Sequence, residues 1–191
     1  MDNPNNTEAA LWERALHDDG EAFGSLLDLH RDRVFRRALG LMANTHDAED
    51  VAASAFFELW RKRRKVQPVH GSVLPWLLVT TVNLSRNAQR SSMRYQRVLR
   101  TIPRDESAPA PDAESVETKK RLMRSLKQLS QVDAALFVLT TIEDLPLTEA
   151  AAAVGLKPST ARMRLSRARA RIRADLHDLN PTIRPAVEGN R

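Results

Sequence analysis

Arginine stands at positions 162, 164, 167, 169, 171 and 173, and no acid interrupts the stretch from 157 to 173. Guanidinium groups at this density suit bidentate hydrogen bonds to phosphate oxygens and to the major-groove edge of guanine. The spacing resembles alternation along a strand, but its parity slips between Arg164 and Arg167, so no single strand face holds the set. Wound at about 100° per residue, Ala161, Leu165, Ala168, Ile172, Leu176 and Leu179 share one narrow arc. That arc predicts a helix, with the arginines flanking a core-facing stripe. Met163, Ser166 and Ala170 lie opposite the stripe, so small or flexible groups would approach base edges between two rows of cations. Arg162, Arg164 and Arg167, near the helix N-terminus, are expected to set specificity; Arg171 and Arg173 are expected to hold the backbone. Ser159 and Thr160 can donate to phosphates at the helix start.

Two other groups of residues invite a binding reading. Asn83, Arg86, Asn87, Gln89, Arg90 and Arg94 follow an apolar segment that begins at Trp76, and their amides and cations can read bases and hold a backbone. Just before them His70, Gly71 and Ser72 form a loop whose small residues leave room for a base. In "DAEDVAASAFFELW", Val51, Ala55 and Leu59 share one side of a helix, while Phe56, Phe57 and Trp60 widen the apolar arc beyond what one core contact needs. Such a helix is either central in its own domain or also faces a partner protein.

The elements that position these groups are helical. Few glycines, 5% aromatic residues and abundant Leu, Ala and Arg predict an all-α fold. Residues 103–118, with three prolines and five acids against one arginine, read as a flexible acidic linker between two small helical domains. The expected division is 8–100 for the first domain, 101–118 for the linker, 119–180 for the second domain and 181–191 for a loose tail. In the first domain short helices precede one capped by Asp47 and running to the cations Arg61 to Lys65; another starts near Pro75. In the second, helices over 116–129 and 132–142 precede a helix-turn-helix. There Thr148 is expected as the cap, Gly155 ends the first helix in a left-handed conformation, and Pro158 opens the next at its first position.

Composition narrows the function classes. A formal net charge of +6 favours a polyanionic partner. The absence of cysteine rules out disulfides and thiolate metal sites. The N-terminus lacks the order of a signal peptide and no apolar run is long enough to span a membrane, so a cytoplasmic protein without membrane insertion is expected. Scattered histidines and the lack of a phosphate-cradling glycine loop point away from an enzyme, a metal or a cofactor. From the residues alone, one reading is a helix-turn-helix regulator that binds an operator by itself, with residues 1–100 as a sensor or dimerisation domain.

Three motifs in order favour another reading. "DAEDVAASAFFELW", "WLLVTTVNLSRNAQR" and "LTEAAAAVGLKPSTARMRLSRARARIR" resemble, respectively, the polymerase-binding helix, the minus-ten reader and the minus-thirty-five reader of the extracytoplasmic-function group of bacterial sigma factors. The resemblance implies a non-enzymatic subunit that binds core RNA polymerase, directs it to promoter DNA and assists melting, with an anti-sigma factor as a further partner. It implies polymerase contacts at Asp47, Asp50, Val51, Ser54, Phe57, Glu58 and Arg61. Single-stranded minus-ten DNA would meet His70, Gly71, Ser72, Asn83, Arg86, Asn87 and Arg90. The upstream duplex would meet Ser159, Thr160, Arg162, Met163, Arg164, Ser166 and Arg167. Ala53 departs from the family pattern, standing where a glutamine that contacts polymerase is usual, and Pro158 and Ser159 replace a small residue and a glycine.

Overall fold

The computed structural model describes the backbone of residues 7–99 and 113–177. Residues 101–112 of the linker expected over 101–118, the tail at 181–191 and Leu179 lie outside the described residues. Among the described residues the named elements are all helical, with one isolated bridge between Val69 and Ser72.

Local signals set the first half. Helix α1 (Glu8–Leu16) starts where the Thr7 hydroxyl accepts from the Ala10 amide, and α2 (Gly20–Leu41) where the Asp19 carboxylate accepts from Ala22. Along α2, Ala22, Leu26, His30, Val34, Ala38 and Leu41 are buried, an unbroken stripe at helical spacing. Helix α3 (Thr45–Lys62) is capped by Asn44 rather than Asp47. The Asn44 side chain accepts from the Asp47 amide at 2.8 Å and donates to the Asp47 carboxylate at 2.9 Å, so Asp47 is the reciprocal partner one turn in. The helix stops at Lys62; Arg63–Lys65 tightens into a 3₁₀ turn. Helix α4 (Leu74–Leu99) follows.

In the second half α5 (Ala113–Gln128) begins inside the segment read as linker. Glu114 and Glu117, counted there as linker composition, also favour a helix start. Helix α6 (Gln131–Phe137), capped by Ser130, widens into a π turn over Val138–Ile142. The chain then leaves through Asp144 at φ +54°. Helix α7 (Leu147–Ala153) begins directly after Pro146, so Thr148 lies within the helix and is not its cap. Its end is a Schellman motif: Leu156 donates to the Ala151 carbonyl at 2.8 Å and Gly155 to Ala152 at 3.0 Å, with Gly155 at φ +70°. A side chain would find open space at Gly155, so the backbone angle alone calls for glycine. Helix α8 (Pro158–Leu176) opens on Pro158 and buries Ala161, Leu165, Ala168 and Ile172.

The two halves do not keep separate cores. Helix α4 packs on α2 and α3 on one side and on α6, α7 and the π turn on the other. Leu78, fully buried, sits in one cluster with Leu136, Leu139, Ala150 and Ala161; Val82 and Leu41 sit in another with Leu126, Phe137 and Ile172. Polar contacts reinforce the seam. The Glu143 carboxylate, 6% exposed, accepts from Arg33 at 2.8 Å and Arg37 at 2.5 Å, both on α2.

This shared core predicts coupled unfolding. The three tryptophans, Trp12, Trp60 and Trp76, all lie in the first half. Truncating the fully buried Leu139 of the second half to Ala costs about 2–5 kcal/mol. In urea titration the tryptophan fluorescence transition of Leu139→Ala should shift together with far-ultraviolet circular dichroism. A shift in dichroism with fluorescence unmoved would mean that the halves unfold independently.

Candidate nucleic-acid and protein interfaces

Helix α8 turns its basic side outward. Arg162, Met163, Ser166, Arg167 and Ala170 are exposed, Met163 by 59%. At its N-terminus Lys157 makes no side-chain cap, and exposed Ser159 and half-buried Thr160 occupy the first turn, where helix amides suit an anion. Arg164 departs from the expected arrangement. Its guanidinium donates to the Asp133 carboxylate at 2.7 Å and to the Ser130 hydroxyl at 3.1 Å, tying α8 to the start of α6. A long side chain beside an acid at a neighbouring helix start is held by that acid, so Arg164 is first a structural contact here. Arg167 and Arg171 line a cleft of about 240 Å³ beside it, with Leu129, Asp133 and Ala168.

On α4, Asn83, Asn87 and Arg90 follow one another at helical spacing; Asn87 and Arg90 are exposed and Asn83 is half-buried. Arg86 is not part of this open strip. It is 7% exposed and donates to the Leu126 carbonyl and, at 2.7 Å, to the Leu129 carbonyl. Those carbonyls lie around the C-terminus of α5, where a cation is favoured. Burial and then the charge of Arg90 lower the Arg86 pKa from its ordinary value. The expected minus-ten cation thus caps a helix of the other half in this arrangement. Nearby Gln89 donates to the Leu41 carbonyl, while Asn83 Oδ1, Ser85 Oγ and Gln89 Oε1 are buried without a partner among the described residues.

The loop before α4 is a tight turn. Val69 and Ser72 exchange backbone hydrogen bonds of 2.9 and 3.0 Å around His70 at φ +51° and Gly71 at φ +78°. Two successive left-handed residues are the signature of a type I′ turn, and His70 and Gly71 are exposed at its tip. Ser72 faces inward, its hydroxyl donating to Glu8 at 2.9 Å. Burial pushes the Glu8 carboxyl up, but the His30 hydrogen bond and attraction, with bonds from Val73 and Ser72, outweigh it and hold the group below its ordinary value. Glu8 escaped the sequence reading because an acid after a threonine cap reads simply as a helix-start charge.

On α3, Asp47, Asp50, Ser54, Phe57 and Arg61 are exposed and Glu58 is half-buried. Val51 is corrected to a core residue: it is 5% exposed and packs with Ala48, Ala55 and Leu59. Phe57, by contrast, is 63% exposed. It edges an apolar groove of about 590 Å³ between α2 and α3, lined also by Phe23, Leu27, Phe35, Ala52, Ala53, Phe56 and Trp60. Arg63 stacks 4.0 Å from the Trp60 ring and is bonded to Asp18, and Arg31 and Glu49 add charge to the groove lining. Next to Phe57, Arg61 and then Lys62 hold the Glu58 carboxyl down to about 2.

Comparison with known proteins places these surfaces in a family. Residues 26–95 match sigma-70 region 2 and residues 119–172 match sigma-70 region 4. The ECF RNA polymerase sigma factor SigE of Mycolicibacterium smegmatis is 33% identical over 80% of this chain and 60% of its own length. The probable RNA polymerase sigma factor RfaY of Xanthomonas campestris is 29% identical, with 40% of its length spanned. SigW of Bacillus subtilis is 22% identical, and 92% of its length is spanned. Among solved structures, CnrH in complex with the cytosolic domain of CnrY shares the fold at a TM-score of 0.60, with 24% identity over 90% of this chain and 97% of that one. Both sigma regions in order, together with these relatives and the shared fold, establish that the chain belongs to the sigma-70 family, in its extracytoplasmic-function group.

Proposed function

We propose that this protein acts in the cytoplasm as a non-enzymatic subunit that binds core RNA polymerase and directs it to promoters. The observation that carries the reading is the groove between α2 and α3 with exposed Phe57 at its rim. An aromatic side chain beside an apolar groove and ringed by charge has the make-up of an interface anchor, and an operator-binding regulator needs no such surface beside its helix-turn-helix. The exposed face of α8 is suited to the upstream duplex, and Asn83, Asn87 and Arg90 with the 70–72 turn are suited to unpaired minus-ten bases. An anti-sigma factor that covers these surfaces is a further expected partner; RpoE of Bartonella quintana, which shares the fold at a TM-score of 0.51 and 21% identity, was solved with the anti-sigma factor NepR.

The packed arrangement of the halves is, in this reading, the waiting state. Arg86 can join Asn83, Asn87 and Arg90 on DNA only when it leaves the α5 carbonyls. The seam is suited to release, since Ser85 Oγ and Gln89 Oε1, which face α5 and α6, are buried there without a hydrogen-bond partner among the described residues. Such a protein meets DNA fully only after polymerase has separated its halves.

Run-off transcription on genomic fragments, with core polymerase and RNA 5′-end sequencing, tests the reading. The protein should produce discrete start sites that core polymerase alone does not. Phe57→Ser should weaken core binding roughly 30-fold, the loss of about 2 kcal/mol at an interface anchor, while leaving the melting temperature nearly unchanged. Failure of the folded protein to bind core polymerase would sink the proposal. On a template pool randomised over the upstream element, Arg162→Ala should reorder sequence preference. Arg164→Ala should instead lower stability by up to about 1 kcal/mol with a smaller change in preference; the reverse ranking would return Arg164 to base reading.

A further inference from the structure

Beneath the 69–72 turn, one carboxylate oxygen gathers donors from two other parts of the fold. Glu8 Oε1 accepts from His30 Nε2 of α2 at 2.8 Å, from the Ser72 hydroxyl at 2.9 Å and from the Val73 amide at 2.7 Å. The Ser72 hydroxyl in turn accepts from the Leu74 amide at 3.1 Å, so the start of α4 and the base of the turn are set by the same group. The first turn of α1 also lies against the tip: a Cβ on Gly71 would stand 3.5 Å from the Ala9 Cβ. Glu8 lies before the segment that matches sigma-70 region 2.

We infer that Glu8 is a positioning residue for promoter reading: through Ser72 and Val73 it fixes the height and tilt at which His70 and Gly71 meet an unpaired minus-ten base. The inference rests on the proposed role of the 70–72 turn. A type I′ turn is rigid within itself, but only two strand-like residues join it to the body, so its orientation depends on what holds Ser72 and Val73. The Val69–Ser72 backbone pair, the Leu74 bond and the Leu77 bond to the Val73 carbonyl stay within the turn and its helix; among the described residues, the hydrogen bonds that tie Ser72 and Val73 to another element end on Glu8. A base held in a pocket is discriminated by hydrogen bonds whose strength falls steeply with misalignment, so a loosened root reduces selectivity before it reduces binding.

The test compares two conservative replacements in the full chain with core polymerase, on a template pool randomised over the minus-ten element, with the RNA sequenced. Glu8→Gln loses the charge but keeps an oxygen at the same reach for Val73 and Ser72; Glu8→Asp keeps the charge but is one methylene short. Glu8→Gln should retain the wild-type base preferences. Glu8→Asp should flatten preference at one or two minus-ten positions by about fivefold, one hydrogen bond's worth, with unchanged core affinity and unchanged preference over the upstream element. Amide hydrogen exchange at Val73 should accelerate in Glu8→Asp and not in Glu8→Gln. Wild-type preferences in Glu8→Asp, or an even loss of transcript across all templates, would reduce Glu8 to a structural anchor and overturn the inference. If the wild-type protein itself shows no minus-ten preference, the sigma reading fails along with it.

Discussion

The fold depends on the burial of one helix, α4, from two sides. Its Leu77, with Val73 just before the helix, closes the core made by α1, α2 and α3, while Leu78 and Val82 close the cores made by α5 to α8. Burying each such side chain contributes about 1.5–3 kcal/mol, so neither half has a complete apolar lining without α4. By burying Leu77 against one set of helices and Leu78 and Val82 against the other, α4 belongs to both halves at once.

The polar groups along the seam complicate that stability in a useful way. Arg33, Arg37 and Glu143 place one nearly buried carboxylate between two guanidiniums, a contact whose strength depends on all three remaining together. Arg86 is the reverse case: a buried cation whose hydrogen bonds go to helix-end carbonyls rather than to an acid. Carbonyl dipoles satisfy its donors but give less than a carboxylate would, and a phosphate backbone offers the missing charge. One residue can therefore serve the closed form moderately and a DNA-bound form well. In the proposed reading, that asymmetry would let a packing contact act as a means of control.

Much of the local structure was legible in the sequence because its causes are local. Gly155 and Pro158 carry backbone angles that mark the end of α7 and the start of α8, and the stripe from Ala161 to Ile172 has only one face to bury. The cap of α3 was misplaced because Asn44 and Asp47 are both good caps and sit three residues apart; in the structure they form a reciprocal pair, and the outer one is the cap. What the sequence could not reveal was the seam. Periodicity shows that Leu78 and Val82 are buried but not against what, and a run of arginines shows charge but not which member meets an acid. Arg86 and Arg164 were both read as DNA contacts, and both are held by groups from elsewhere in the chain. Glu8 was invisible for the same reason, since its partners lie 22 and more residues away.

The central claim is that the halves share α4 at rest and part on loading. The natural chain has no cysteine, so spin labels can be placed at two introduced ones, Arg36→Cys on α2 and Thr148→Cys on α7, both exposed. Double electron–electron resonance on the free protein should give one narrow, short distance, replaced by a longer one when core polymerase and promoter DNA are added. The same distance in both states, or a broad distribution in the free protein, would contradict the account.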